Sequence, residues 1–204
     1  MQVCVIDLET TGLNQFKHGI TEFGAVVIDL FEPGKAKQFL RWLNPEGYVW
    51  SNYCLKLHAE WIEKIVARQL KDGSFIEVAG QPPILDSVTQ LNAQFSWWLW
   101  DQCGYELKKP NGSYNRMVGA GKNFASFDLQ FLEQKGFHSC FKHRTLDPGG
   151  LYTRKGDPVP PQLLDCKKRA VEEGYQGFGK MEVAHAALED AMDVAHLLWH
   201  RFAR

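Results

Sequence analysis

Surplus charge of either sign is missing from this chain: 23 Lys and Arg stand against 24 Asp and Glu, for a formal net charge of −1 and a pI of about 6.7. No global positive field draws it onto a long polyanion, so any affinity of that kind has to reside in a local site. Cysteine is sparse too. The five residues Cys4, Cys54, Cys103, Cys140 and Cys166 are odd in number, scattered and nowhere arranged as C-x-x-C, which argues against a disulfide framework and makes a reducing cytoplasm the expected compartment. No apolar run reaches the roughly 20 residues a bilayer-spanning helix needs, so no membrane partner is expected. Met1 leads directly into the strand-like run Val3 to Ile6 with no basic stretch before it, which is not the pattern of a signal peptide. Repeats, low-complexity tracts and long linkers are also lacking, and residues 1–204 read as a single domain.

What is present is an ordinary globular composition, 45% hydrophobic and 23% charged. Residues 2–8 are rich in β-branched and apolar side chains and stop at a Thr-Gly turn, which predicts a buried strand. Further strands are expected at 20–30 and 36–43, separated by Glu32-Pro33-Gly34, so the three form an antiparallel meander closed by Asn44-Pro45-Glu46-Gly47. Apolar spacing predicts helices at about 58–70 and 86–102, the second with Asp86 as N-cap, Val88, Leu91, Phe95, Trp98 and Leu99 inward, and Trp97 to Trp100 read as a core stripe. A short strand at 116–120 and a helix at 126–134 follow. The Gly- and Pro-rich stretch 147–161 is expected as a loop and a mobile rim, before helices at about 161–173 and 188–202. The order of elements is that of an α/β domain.

Three short segments stand out from this scaffold. At the end of the first strand, period-two alternation places Asp7 and Glu9 on one face with Ile6 and Leu8 on the other. Adjacent carboxylates repel, and the pair reads either as a solvated strand end or as a seat for a hard divalent cation. In Asn123-Phe124-Ala125-Ser126-Phe127-Asp128, the acid opens a predicted helix, where the macrodipole alone is a sufficient reason for it. In His185-Ala186-Ala187-Leu188-Glu189-Asp190, an imidazole precedes a helix that has a carboxylate in its first turn. Taken singly, His185 reads as a capping or packing residue.

Taken together and in this order, V-I-D-L-E-T-T-G-L at 5–13, N-x-x-F-D with one extra residue at 123–128, and H-x4-D at 185–190 resemble the DEDDh (DnaQ-like) family of 3'-to-5' exonucleases, the relatives of RNase T, oligoribonuclease and polymerase proofreading subunits. I-T-E-F-G-A-V-V-I at 20–28 and Asn44-Pro45 extend the likeness over nearly the whole chain. The resemblance implies a ribonuclease-H-like mixed β-sheet flanked by helices. It implies two divalent cations, Mg2+ or Mn2+, held by Asp7, Glu9, Asp128 and Asp190, with His185 as general base. It also implies substrate contacts at Thr10, Thr11, Gly12, Leu13, Asn123 and Phe124, with backbone N–H groups of the Thr-Thr-Gly turn near the terminal nucleotide and Leu13 wedged against its base. The expected partners are single-stranded DNA or RNA 3' ends, and a homodimer stays open. Lys122 and His58-Ala59 depart from the family pattern, in which many relatives have His before the Asn and His-Gly respectively.

Other groupings carry less. Glu22 reads equally as a residue near the site and as a sheet-face acid with a structural partner. His138, Cys140 and His143 fit no common zinc spacing. His196 and His200 lie at i, i+4 without the glutamate of a metalloprotease motif. Lys142-His143-Arg144, Arg154-Lys155 and Lys167-Lys168-Arg169 read as solvated basic runs, with Arg154 or Lys155 able to grip phosphate if the neighbouring loop folds over the site. Two alternatives of another kind remain: a catalytically silent nucleic-acid-binding subunit, and a polymerase-associated proofreading subunit on the same fold.

Overall fold

A computed structural model describes residues 1–109, 111–138 and 140–203. The three-stranded meander forms where the sequence predicts it, as β1 (Gln2–Thr10), β2 (Ile20–Asp29) and β3 (Ala36–Leu43), each pair antiparallel. Two short strands join in parallel at the edges, β4 (Ile84–Leu85) on β3 and β5 (Val118–Ala120) on β1, giving a mixed five-stranded sheet in the order β4-β3-β2-β1-β5. The helices are α1 (Asn52–Leu57), α2 (Ala59–Val66), α3 (Val88–Asp101), α4 (Asp128–Gln134), α5 (Pro148–Leu151), α6 (Leu163–Glu172) and α7 (Ala187–Phe202). Among the described residues no helix is long and apolar enough to cross a membrane.

Both sheet faces are covered, and β1 shows how. Cys4, Ile6 and Leu8 enter one core with α3, α4 and the rings of Phe23, Phe95 and Phe137. Val3 and Val5 enter the other core, with α6 and α7. Asp7 and Glu9 continue the row begun by Val3 and Val5, so the pleat aims both carboxylates at the α7 side. The register places Asp7 opposite Gly24 and Glu9 opposite Glu22, carrying those two positions to the same face.

Gly24 is where α7 meets the sheet. A Cβ there would fall inside contact distance of the Ala187 carbonyl and the Leu188 nitrogen, which are backbone atoms that cannot rotate away. Gly24→Ala is expected to destabilise the protein by about 1–3 kcal/mol, the usual cost of overpacking. Thermal unfolding within experimental error of the parent would show that α7 is not seated as described.

Several boundaries differ from those the sequence predicts. The helix expected at 58–70 is the shorter α2, and a separate helix not expected from the sequence, α1, precedes it, capped by Ser51, whose Oγ accepts from the Cys54 N–H at 3.1 Å, with His58 between the two. Helix α2 ends at Val66 because Arg68 turns inward, donating to the carbonyls of Ile76 and Pro82. In α3 the N-cap is Ser87, not Asp86: the Ser87 Oγ accepts from Gln90 N–H while Gln90 Oε1 reaches back to the Asp86 N–H. Trp98 and Leu99 are core, whereas Trp97 and Trp100 are exposed, because helical spacing cannot turn four consecutive residues to one side. The stretch 147–161 contains the single-turn helix α5, capped by Asp147 Oδ1 accepting from Gly149 N–H at 2.6 Å.

Candidate active site

The carboxylates of β1, α4 and α7 converge. Asp128, at the first position of α4, is 2% exposed, and its Oδ1 accepts from the Leu8 N–H at 3.0 Å, which ties the start of the helix to the strand between Asp7 and Glu9. Asp190, in the first turn of α7, is 4% exposed and accepts from the Ala184 N–H at 3.1 Å, closing the turn that carries His185. One ligand atom from each of Glu9, His185 and Asp190 lies within 4.8 Å of the others, a spacing open to metal coordination. Among the described residues His138, Cys140 and His143 form no such group.

The electrostatics mark Asp7 as the centre. Burial first, then Asp128, Glu9, Asp190 and Glu22 in turn, push its carboxyl well above the usual range. Burial and the charges of Glu22, Asp190 and Asp128 push Glu9 up to about 8. Asp128 is raised to about 8, chiefly by burial and against the lowering effect of its backbone hydrogen bonds. Asp190 is raised by burial, opposed by the Ala184 N–H. Burial and mutual repulsion both disfavour the charged forms of these acids, and hard carboxylate oxygens are the donors that a divalent cation such as Mg2+ or Mn2+ takes. Asp7, Glu9, Asp128 and Asp190 are donors of that kind, and those of Glu9 and Asp190 lie close enough to one another to share an ion.

These shifts have a sign. A carboxyl whose pKa is raised by folding binds its proton more tightly in the native state, so its stabilising contribution is complete below its unfolded value and is lost as pH rises through the folded one. With Glu9 and Asp128 at about 8 and Glu22 at about 7, the metal-free protein should lose stability between roughly pH 4.5 and 8. Thermal unfolding in a chelator should show a melting temperature falling across that window, with Mn2+ restoring more of it at pH 8 than at pH 6. A melting temperature that rises from pH 5 to 8 in the chelator would contradict the arrangement.

Two residues not assigned to the site from sequence support it. His58, at the break between α1 and α2, places Nε2 3.3 Å from Glu9 Oε2 and is almost wholly buried. Glu22 proves to be the sheet-face acid with a structural partner and to lie beside the site as well. Its carboxylate accepts from the Ala187 N–H at 2.9 Å and from Trp42 Nε1 at 3.1 Å. It thereby caps α7, whose own N-cap position, Ala186, has no side-chain acceptor to offer. A cavity of about 600 Å³ opens alongside, lined by Trp42, His58, Trp61, Lys64 and His185 among others.

The residues expected to contact substrate divide. Leu13 is 79% exposed on the β1–β2 loop, free to meet a ligand. Asn123 is exposed in a left-handed conformation at φ 62°, with its side chain accepting from Lys122 Nζ at 2.6 Å. Thr11 is corrected: its N–H donates to Gly19 O at 2.9 Å, and its hydroxyl donates to Val49 O and accepts from Gly19 N–H, so both are consumed in shaping the loop. Thr10 is buried likewise, its hydroxyl donating to Gly12 O at 2.9 Å, and the Gly12 carbonyl is committed in return. Phe124 is also corrected. At 1% exposure its ring packs edge-on against Phe141 under Gly119, and presents no face to a base.

Lys142, His143, Arg144, Arg154 and Lys155 are exposed, as the sequence reads, whereas the run at 167–169 is less solvated than it reads. Arg154 pairs with Glu172 at 2.7 Å, Arg169 with Asp157, and Lys167 lies in the interior, leaving Lys168 as the exposed member of its run. His196 and His200 are packing residues, each bonded through Nδ1 to a tyrosine hydroxyl, Tyr175 at 2.7 Å and Tyr152 at 2.6 Å.

No family model and no curated protein matches the chain by sequence. Solved structures do match in three dimensions. The nuclease domain of 3'hExo, described as a DEDDh family member and bound to rAMP, superposes with a TM-score of 0.55 at 16% identity, over 97% of this chain and 90% of that one. A 3'-exonuclease in a structure of 3'-end specific recognition of histone mRNA stem-loop gives 0.55 at 15% identity, over 99% and 63%. Exonuclease I of E. coli in complex with an oligonucleotide gives 0.52 at 12% identity, over 95% of this chain but 38% of that one. At such identities the likeness is one of fold: the chain has the mixed-sheet fold of the DEDDh exonuclease domain.

Proposed function

We propose that this protein is a metal-dependent 3'-to-5' exonuclease that shortens single-stranded DNA or RNA from the 3' end and releases nucleoside 5'-monophosphates. The observation that carries the reading is the burial of Asp7 against Glu9, Asp128 and Asp190, four acids from three distant segments gathered at one point. Divalent cations held by these four would acidify the attacking water and neutralise charge on the leaving 3' oxygen.

The rest falls to the chain's own groups. His185, exposed beside Glu9 and Asp190, accepts the proton of the attacking water on a ring nitrogen. His58 orients the Glu9 carboxylate, and Glu22 fixes the start of α7 and with it Asp190. Leu13 packs against the terminal base. Among the described residues no separate strand-parting module accompanies the domain, so single strands should be preferred to duplex. Digestion of a blunt duplex at the rate of the matching single strand would overturn that preference.

A further inference from the structure

Lys167 belongs to α6, in a run of three basic residues, yet it is 1% exposed. An ammonium so enclosed has to be paired and hydrogen-bonded. Its Nζ pairs with the Asp193 carboxylate of α7, donates to the Glu182 carbonyl at 2.8 Å and lies 5.3 Å from the centroid of the Phe178 ring. Phe178 and Glu182 belong to residues 173–186, the connection from α6 to α7, which has no helix or strand of its own. Near the end of that connection His185 holds φ at 51°. A non-glycine residue keeps such a conformation only where its surroundings impose it.

Three contacts hold the chain on either side of it. Glu22 holds the Ala187 N–H and Asp190 holds the Ala184 N–H, both from within the carboxylate cluster. Lys167 holds the Glu182 carbonyl from outside it, three residues before His185. Stability alone gives little reason for the arrangement, since a buried ion pair replaced by apolar side chains of similar volume is often neutral or stabilising. What an apolar pair lacks is a donor for the Glu182 carbonyl.

We propose that Lys167 is a positioning residue for His185: by fixing the Glu182 carbonyl against α6 and α7 it sets the path of the chain into residue 185 and aims the imidazole at Glu9 and Asp190. The consequence for turnover rests on the exonuclease reading, whereas the hold on the connection does not. Two variants test it. Lys167→Met removes the donor and leaves Asp193 unpaired, and the pair Lys167→Met/Asp193→Leu removes the donor without stranding a charge, so that its melting temperature should return to that of the parent or above.

In both variants amide hydrogen exchange at residues 180–186 should rise at least tenfold. The kcat on a 3'-ended oligonucleotide should fall roughly 10- to 100-fold, the scale of a misplaced group, with KM within twofold and Mn2+ affinity unchanged. In a His185→Ala background Lys167→Met should cost no further turnover, because the group it positions is gone. The inference is overturned if the double variant regains kcat along with its melting temperature, if Lys167→Met lowers kcat by the same factor with and without His185, or if exchange at 180–186 is unchanged. Parent protein inert on every 3' end would instead defeat the functional reading and the catalytic half of this one, while the exchange measurement would still decide whether Lys167 holds the connection.

Discussion

His185→Ala and Asp190→Asn should fail in different ways. If His185 is a base, its loss should cut turnover by about 10²- to 10⁴-fold, the range for positioned proton transfer, and leave Mn2+ binding nearly intact. Asp190→Asn should weaken Mn2+ binding and abolish most turnover, because a neutral amide supplies neither the charge nor the second oxygen donor. The contrast matters because His185 and Asp190 both lie within ligand distance of Glu9, so proximity alone assigns neither role. Calorimetric titration of Mn2+ into each variant, alongside its rate, separates them. A His185→Ala protein with parental turnover removes the imidazole from the mechanism, and one that loses Mn2+ affinity as severely as Asp190→Asn makes it a ligand.

Asp7→Asn should be inactive and, without metal, more stable than the parent. Asp7 feels the charges of Asp128, Glu9, Asp190 and Glu22, and an amide of the same shape ends that repulsion without opening a cavity. In a chelator at pH 8 the melting temperature of Asp7→Asn should exceed that of the parent, and the increment that Mn2+ gives the parent should largely vanish. Activity and metal-free stability would then move in opposite directions, as expected where buried charges are kept for function. A variant less stable than the parent in the chelator would mean that Asp7 is paired with something other than the acids around it.

What could be read in the sequence depended on whether the signal was local. Alternation in β1 is local, and it placed Asp7 and Glu9 on one face opposite Ile6 and Leu8. The bounds of β3 and the mixed sheet also followed from pattern and resemblance. Glu22 capping α7 did not, since donor and acceptor are 165 residues apart and nothing near Ala186 announces a missing cap. The contact of His58 with Glu9 did not either, since it too is made across the fold. Phe124 was misplaced because a motif fixes residue order but not which ring faces inward, and here the bare backbone of Gly119 gives it a seat. Lys167 read as solvated because a basic run shows nothing of the carboxylate and carbonyl that α7 and its preceding connection bring to it.

The central claim is the chemistry and direction of attack, and one time course tests both. A single-stranded oligonucleotide carrying a 5' label, offered as DNA and as RNA with Mg2+, with Mn2+ and with chelator, should give a ladder that shortens progressively from the 3' end. That ladder should be absent in the chelator and in Asp7→Asn, and slowed by a blocked 3' hydroxyl. Release of the labelled nucleotide as the first small product, internal cuts from the earliest time, or an equal rate in the chelator would contradict it.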